Sequence, residues 1–176
     1  DFLRKETIGR CSLLSFEKIK EKSLKIQDKL FCLSEFDQKE NILFYMAMDN
    51  EVQTEAMINK ALGLGKKVFL PSVERNLKKL YVSRIENITE DLIRGAFNIL
   101  EPKNVSGKDL AEVAIDIIVL PGVVFDEKGG RLGHGEGYYD KLLASANKEI
   151  LKIGLAFENQ VVKEVPQMAH DVCMDK

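Results

Sequence analysis

Gly129-Gly130-Arg131-Leu132-Gly133-His134-Gly135-Glu136-Gly137-Tyr138-Tyr139-Asp140 brings five glycines, two basic side chains and a closing carboxylate into one short run. Glycines let backbone N–H groups approach an anion without a Cβ in the way and permit positive φ. A helix starting just after them would add unpaired N–H groups and a partial positive charge. Arg131 is a planar, permanently charged donor suited to phosphate. His134 offers a second donor whose charge depends on its surroundings. Asp140 beside phosphates is unfavourable unless a cation lies between, and magnesium takes carboxylate and phosphate oxygens together. The chemistry suggested is that of an ATP-dependent enzyme. Neither common template fits. A P-loop closes on Gly-Lys-Ser/Thr, and Gly133, Gly135 and Gly137 are spaced GxGxG rather than GxGxxG. The glycines alone are equally compatible with a plain flexible loop, and Asp140 with a first-turn carboxylate favoured by the helix dipole.

Elements able to position this run can be read on either side of it. Residues 115–122 give the strongest strand signal, a branched and leucyl run stopped by Pro121-Gly122. Residues 137–146 read as a helix and 150–156 as a strand. Upstream, 12–33 repeats apolar positions at helical spacing, as one amphipathic helix or two in tandem, with Ser15 as N-cap. Residues 41–46 read as a buried strand, 54–64 as a helix capped by Thr54 and stopped by Gly63 and Gly65, and 66–71 as a strand ended by proline. That order is a βαβ unit with parallel strands. Residues 80–85 look like a further strand, and 88–106, punctuated by Pro102 and Gly107, stays ambiguous. The expectation is a single domain over 1–176, a Rossmann-like three-layer α/β/α fold with a mainly parallel sheet.

Bulk properties narrow the partners. A formal net charge of −2 gives no electrostatic reason to expect nucleic acid or a membrane surface. Cys11, Cys32 and Cys173 are widely spaced and form no CxxC pair, so neither a zinc ribbon nor a disulfide framework is indicated. The charged start, Asp1 to Glu6, lacks an apolar signal core, and the longest apolar run, near 117–125, is too short to span a bilayer. These features read as a reduced, cytoplasmic, soluble domain.

Leu120-Pro121-Gly122-Val123-Val124-Phe125-Asp126 followed by Gly130 to Asp140 resembles the 5-formyltetrahydrofolate cyclo-ligase family, whose fold is of the isomerase/CoA-transferase type. Leu3-Arg4 is similar to the family's basic N-terminal motif, Tyr45 through Glu51-Val52-Gln53-Thr54 to its folate-side segment, and Lys67 through Pro71 to its second strand. Val165-Pro166, His170-Asp171 and Asp175 are similar to its closing segment. The resemblance implies an ATP- and Mg2+-dependent reaction on 5-formyltetrahydrofolate. ATP phosphorylates the formyl oxygen, the neighbouring folate nitrogen attacks the activated carbon, and phosphate leaves to give 5,10-methenyltetrahydrofolate. It implies ATP contacts by Arg4 and by Arg131, Leu132, Gly133, His134, Gly135, Glu136, Gly137, Tyr138 and Tyr139. Arg131, His134 and Tyr138 would serve catalysis. Met46, Glu51 and the run from His134 to Tyr138 would face folate, and Asp140 and Asp171 would hold Mg2+. A monomer acting on small molecules is expected.

Three departures stand out against the resemblance. The family lysine ahead of Leu3-Arg4 would precede Asp1, His134 stands where many members carry arginine, and Glu136 puts a negative charge inside the phosphate loop. Taken without the resemblance, Glu51 could be a solvated charge, Met46 a core residue and one of the two tyrosines ordinary packing. Competing readings are another nucleotide- or phosphosugar-using α/β enzyme and a nucleotide-binding domain without turnover.

Overall fold

The computed structural model describes residues 2–95, 98–103, 107–167 and 171–176. In chain order the elements are α1 (Phe2–Ser12), α2 (Phe16–Phe31), α3 (Ser34–Gln38), β1 (Asn41–Leu43), α4 (Glu55–Gly63), β2 (Lys67–Glu74) and β3 (Lys79–Ile85). There follow α5 (Ile88–Asp91), β4 (Leu92–Arg94), β5 (Leu100–Pro102), β6 (Ile117–Leu120), β7 (Val124–Asp126), β8 (Arg131–Leu132), α6 (Tyr138–Ala144), β9 (Leu151–Gly154) and β10 (Val161–Val162). The main sheet has the order β3-β2-β1-β6-β9. All its neighbours run parallel except β2 and β3, which form an antiparallel hairpin.

Strand alternation sorts the apolar side chains into two layers. Ile42, Phe44, Val68, Leu70, Ile117, Val119 and Ile153 pack on one face with Ile19 and Leu30 of α2, Phe36 of α3 and Met57, Ile58 and Ala61 of α4. Leu43, Phe69, Ile118 and Leu120 pack on the other with Leu142 and Leu143 of α6, Phe125 and Met174. A sheet covered on both faces reads as continuous apolar runs, which is why Ile117–Leu120 is wholly buried. The three-layer α/β expectation holds. No helix among the described residues is long and apolar enough to cross a membrane.

Local details sharpen several expectations. Ser15 caps α2, its hydroxyl accepting from Lys18 N at 3.3 Å. Thr54 precedes α4 without a side-chain capping bond; its Oγ1 donates instead to Tyr45 O at 2.5 Å, tying the chain after β1 to the helix start. Pro71 does not end its strand. It pairs with Val82 in the β2–β3 ladder, and Val82 exchanges its own N–H and C=O bonds with Lys108 on its outer side. Pro71 and Val82 are therefore a non-hydrogen-bonded pair, and the missing N–H of Pro71 points toward β1, whose pairing has stopped at Leu43–Phe69. The ambiguous 88–106 stretch contributes α5 and the antiparallel pair β4–β5, with 96–97 and 104–106 outside the described residues.

Candidate active site

Chain order along the main sheet reverses between β1 and β6. From β1 the chain steps outward through β2 to β3, and it later returns to β6 on the other side. Such a reversal opens a crevice beyond the carboxyl ends of the strands, where ligands of open α/β sheets bind. A cleft of about 290 Å³ lies here. Tyr45 and Met46 line it just after β1, and Pro121 and Gly122 just after β6. Pro71 and Val73 of β2, Leu80 of β3 and Ile99 to Glu101 form an apolar wall with one carboxylate.

The glycine run forms the rest of the lining. Its first part is a strand rather than a loop: Arg131-Leu132 is β8, antiparallel to β7. β10 joins β7 on its other edge, making a small second sheet. Gly133 to Asp140 then borders the cleft without interruption. Gly137 sits at φ 74 immediately before α6, a left-handed conformation that a Cβ would strain.

The Arg131 side chain is 4% exposed. Nη1 donates to Pro121 O at 3.1 Å and Nη2 to Asp140 Oδ1 at 2.6 Å. The guanidinium also lies 5.9 Å from the centre of the Tyr139 ring. Burial lowers the Arg131 pKa, and Asp140, Tyr139 and Asp171 act in the opposite sense. The guanidinium stays charged and is fixed before any ligand arrives. Arg4 reaches the same rim from α1, its Nε donating to Gly133 O at 2.8 Å. His134 is exposed on the rim. Partial desolvation, then the charges of Arg131 and Arg4, lower its pKa, so it favours the neutral imidazole.

Glu51 forms the opposite pole. It is a buried carboxyl accepting from Met48 N at 2.9 Å. Burial raises its pKa to about 7, although the Met48 N–H pulls it down. Gln53 ties the same turn, donating to Met48 O and Glu51 O, both at 2.8 Å. Tyr45 and Tyr139 feel the Glu51 charge; burial first, then Glu51, raises both phenols. Tyr45 OH donates to Val52 O at 2.9 Å, closing the turn beneath the carboxyl.

Of the residues singled out in the sequence, Arg4, Met46, Glu51, Arg131, Gly133, His134, Gly135, Glu136, Gly137, Tyr138, Tyr139 and Asp140 all line this one cleft. Leu132 does not; it packs with Val123, Val124 and Val165 behind the wall. Asp171 is absent from the lining but close enough to Arg131 for its charge to act there. His170 lies outside the described residues. Tyr45 and Asp126 enter the sequence reading only as motif members; that Tyr45 lines the cleft, that an apolar wall runs from Val73 to Glu101, and that Asp126 is a buried carboxylate holding the β7–β8 turn are findings of the structure. Proline was the available signal, since Pro71 lies just past the end of the β1–β2 pairing and Pro121 just past β6, and both line the cleft.

Residues 2–176 match the profile of the 5-formyltetrahydrofolate cyclo-ligase family. The mouse 5-formyltetrahydrofolate cyclo-ligase is 30% identical over 182 residues, covering 99% of this chain and 90% of its own. The Haemophilus influenzae protein of the same name is 35% identical over 142 residues, covering 80% and 75%. Among solved structures, the Aquifex aeolicus 5,10-methenyltetrahydrofolate synthetase superposes with a TM-score of 0.83 at 33% identity, covering 98% of this chain and 85% of that one.

Proposed function

Because this chain belongs to the 5-formyltetrahydrofolate cyclo-ligase family, we propose that it uses Mg-ATP to close 5-formyltetrahydrofolate to 5,10-methenyltetrahydrofolate. The observation that carries the reading is the meeting of Arg131, the Gly133–Asp140 run and Glu51 in one cleft at the sheet's switch point. A phosphate-handling pole and a pole of a different chemical kind face the same volume, as a reaction between a nucleotide and a second substrate requires.

An amide oxygen is a very poor leaving group. Transfer of the ATP γ-phosphoryl group to the formyl oxygen makes it a good one and releases ADP. The neighbouring folate nitrogen then attacks the formyl carbon and gives up its proton, and the C–O bond breaks to release phosphate. Little covalent chemistry falls to the protein in such transfers, which depend on positioning and charge. Arg131 suits the phosphoryl oxygens because Pro121 and Asp140 already fix its guanidinium. Arg4 and the Gly133–Gly137 backbone would complete the phosphate cradle. Glu51, buried and poised near neutrality, suits the N–H donors of a folate ring, and Tyr45, Met46 and Met48 suit its flat apolar faces.

Magnesium is commonly held by one or two carboxylates, with phosphate and water oxygens filling the remaining positions. Asp140 and Asp171 fit that pattern. Asp140 is about half exposed, opens onto the cleft and has only Oδ1 bonded to Arg131, while Asp171 acts electrostatically on the same guanidinium. The ion would supply charge neutralisation at the phosphates. The test is an absorbance assay. Mixing the protein with 5-formyltetrahydrofolate and Mg-ATP should develop the near-UV band of the methenyl product. ATP binding without product would reduce the protein to a binding module, and absence of both would remove the nucleotide assignment.

A further inference from the structure

The charged groups of the phosphate pole come from three separate pieces of chain. Arg4 stands on α1, Arg131 on β8, and Asp171 on the segment that follows β10. All three pieces meet on one small hairpin. Leu3 of α1, Leu132 of β8, and Val162 and Val165 of the closing stretch pack together on Val123 and Val124. Apolar packing of this kind does not fix register to a fraction of an ångström, so a directional contact has to supply it.

Asp126, the last residue of β7, makes that contact. Its side chain is buried and stands outside the cleft lining. Oδ1 accepts from Lys128 N at 2.9 Å and from Gly130 N at 2.8 Å, closing the turn that leads into Arg131. Oδ2 accepts from Val165 N at 2.7 Å, across 39 residues of chain. One oxygen therefore sets the start of β8, and the other holds Val165 of the closing stretch; the same turn meets that stretch again beyond Asp171, where Met174 N donates to Gly129 O at 2.8 Å. The site leaves no slack. A Cβ on Gly130 would lie 2.5 Å from Asp126 Oδ2 and 2.9 Å from Val165 Cβ.

Resting on the proposed function, we infer that Asp126 is a positioning residue. It locks the β7–β8 turn to the closing segment and thereby holds Arg131 and Asp171 in mutual register for Mg-ATP. A neutral or misplaced group there should loosen both segments together and weaken the nucleotide pole, leaving the Glu51 pole untouched.

Two substitutions strike this link from opposite sides. Asp126→Asn replaces one acceptor by a donor that faces a backbone N–H, and Gly130→Ala forces the carboxylate from its seat. Each should raise the apparent KM for Mg-ATP by about tenfold, the scale of one lost charge-assisted hydrogen bond, with the folate KM changed by less than about twofold. The double variant should be no worse than the poorer single one, since both break the same link. Amide hydrogen exchange gives a readout independent of turnover: Gly130 and Val165 should open in the wild-type protein with one common free energy. Distinct opening energies in the wild type would overturn the inference even if neither variant folds. Variants that lower only the folded fraction, with the KM for Mg-ATP unchanged, would equally reduce Asp126 to a structural role. A wild-type protein with no turnover sinks the proposed function instead, and the exchange measurement still decides the coupling.

Discussion

Arg131 and Asp140 illustrate how one ion pair can be both structure and preparation for chemistry. The guanidinium is almost fully buried, whereas its partner is about half exposed and free to turn toward a ligand. Asp140→Ala should fold, at a cost of about 1–3 kcal/mol for a buried donor losing its acceptor, while Mg2+-dependent turnover is lost. Denaturant midpoints and the product absorbance measure the two effects separately, and a variant with normal Mg2+ dependence would refute the metal assignment. Glu51 behaves in the opposite way. Its carboxyl loses its proton near 4.5 in the unfolded chain but only near about 7 in the fold. The unfolded state ionises first, so the contribution is complete below about pH 4.5 and is lost as pH rises through 7. That amounts to about 3 kcal/mol in all. Urea unfolding of Glu51→Gln across this window should show a shallower decline than the wild type, and identical pH slopes would argue against a raised pKa at a buried Glu51. The residue types at these positions were legible in the sequence. The raised pKa of Glu51 was not, because burial is a property of the surrounding fold.

At the scale of elements, the strand ends do the positioning. The Pro121-Gly122 stop after β6 is held from two sides, by Arg131 on Pro121 O and by Gln160, whose Nε2 donates to Gly122 O at 2.7 Å. Gln160 Oε1 also accepts from Phe157 N at 2.8 Å. Replacing Gln160 by leucine strands a buried carbonyl and a buried N–H, and should cost about 1–3 kcal/mol in the denaturation midpoint with correct β6 register retained. A loss within about 0.5 kcal/mol, the range of ordinary surface changes, would mean the stop is held by Arg131 alone. Sequence reading found β1, α4, β2, β6, α6 and β9 because apolar periodicity and Gly or Pro punctuation agree there. It ended β2 early at Pro71, since nothing local reveals that a neighbouring strand has already stopped. It also read Arg131-Leu132 as loop, because a two-residue strand has no periodicity and exists only through its pairing with Val124 and Phe125.

For the molecule as a whole, the cleft belongs to no single element. α1, the ends of β1, β2 and β6, the β5 edge and the glycine run all contribute to it. A ligand that bridges them should therefore stabilise the entire fold. With Mg-ATP at about 100 times its Kd the gain is about 2.7 kcal/mol, a rise of roughly 5–11 °C in Tm for a chain of this size. Thermal unfolding with and without a chelator tests this; a shift that survives removal of Mg2+ unchanged would separate nucleotide binding from the ion.

The amino-acid sequence by itself determined the α/β class, the βαβ start and the motif run from Leu120 to Asp140, since these follow from local periodicity and from residues adjacent along the chain. Tertiary structure decided which of those residues share a volume. It brought Arg4, Glu51 and Arg131 to one cleft, put Leu132 behind its wall, and set Asp126 against Val165. Contacts between distant parts of the chain, and the desolvation they cause, exist only once the strands have found their order.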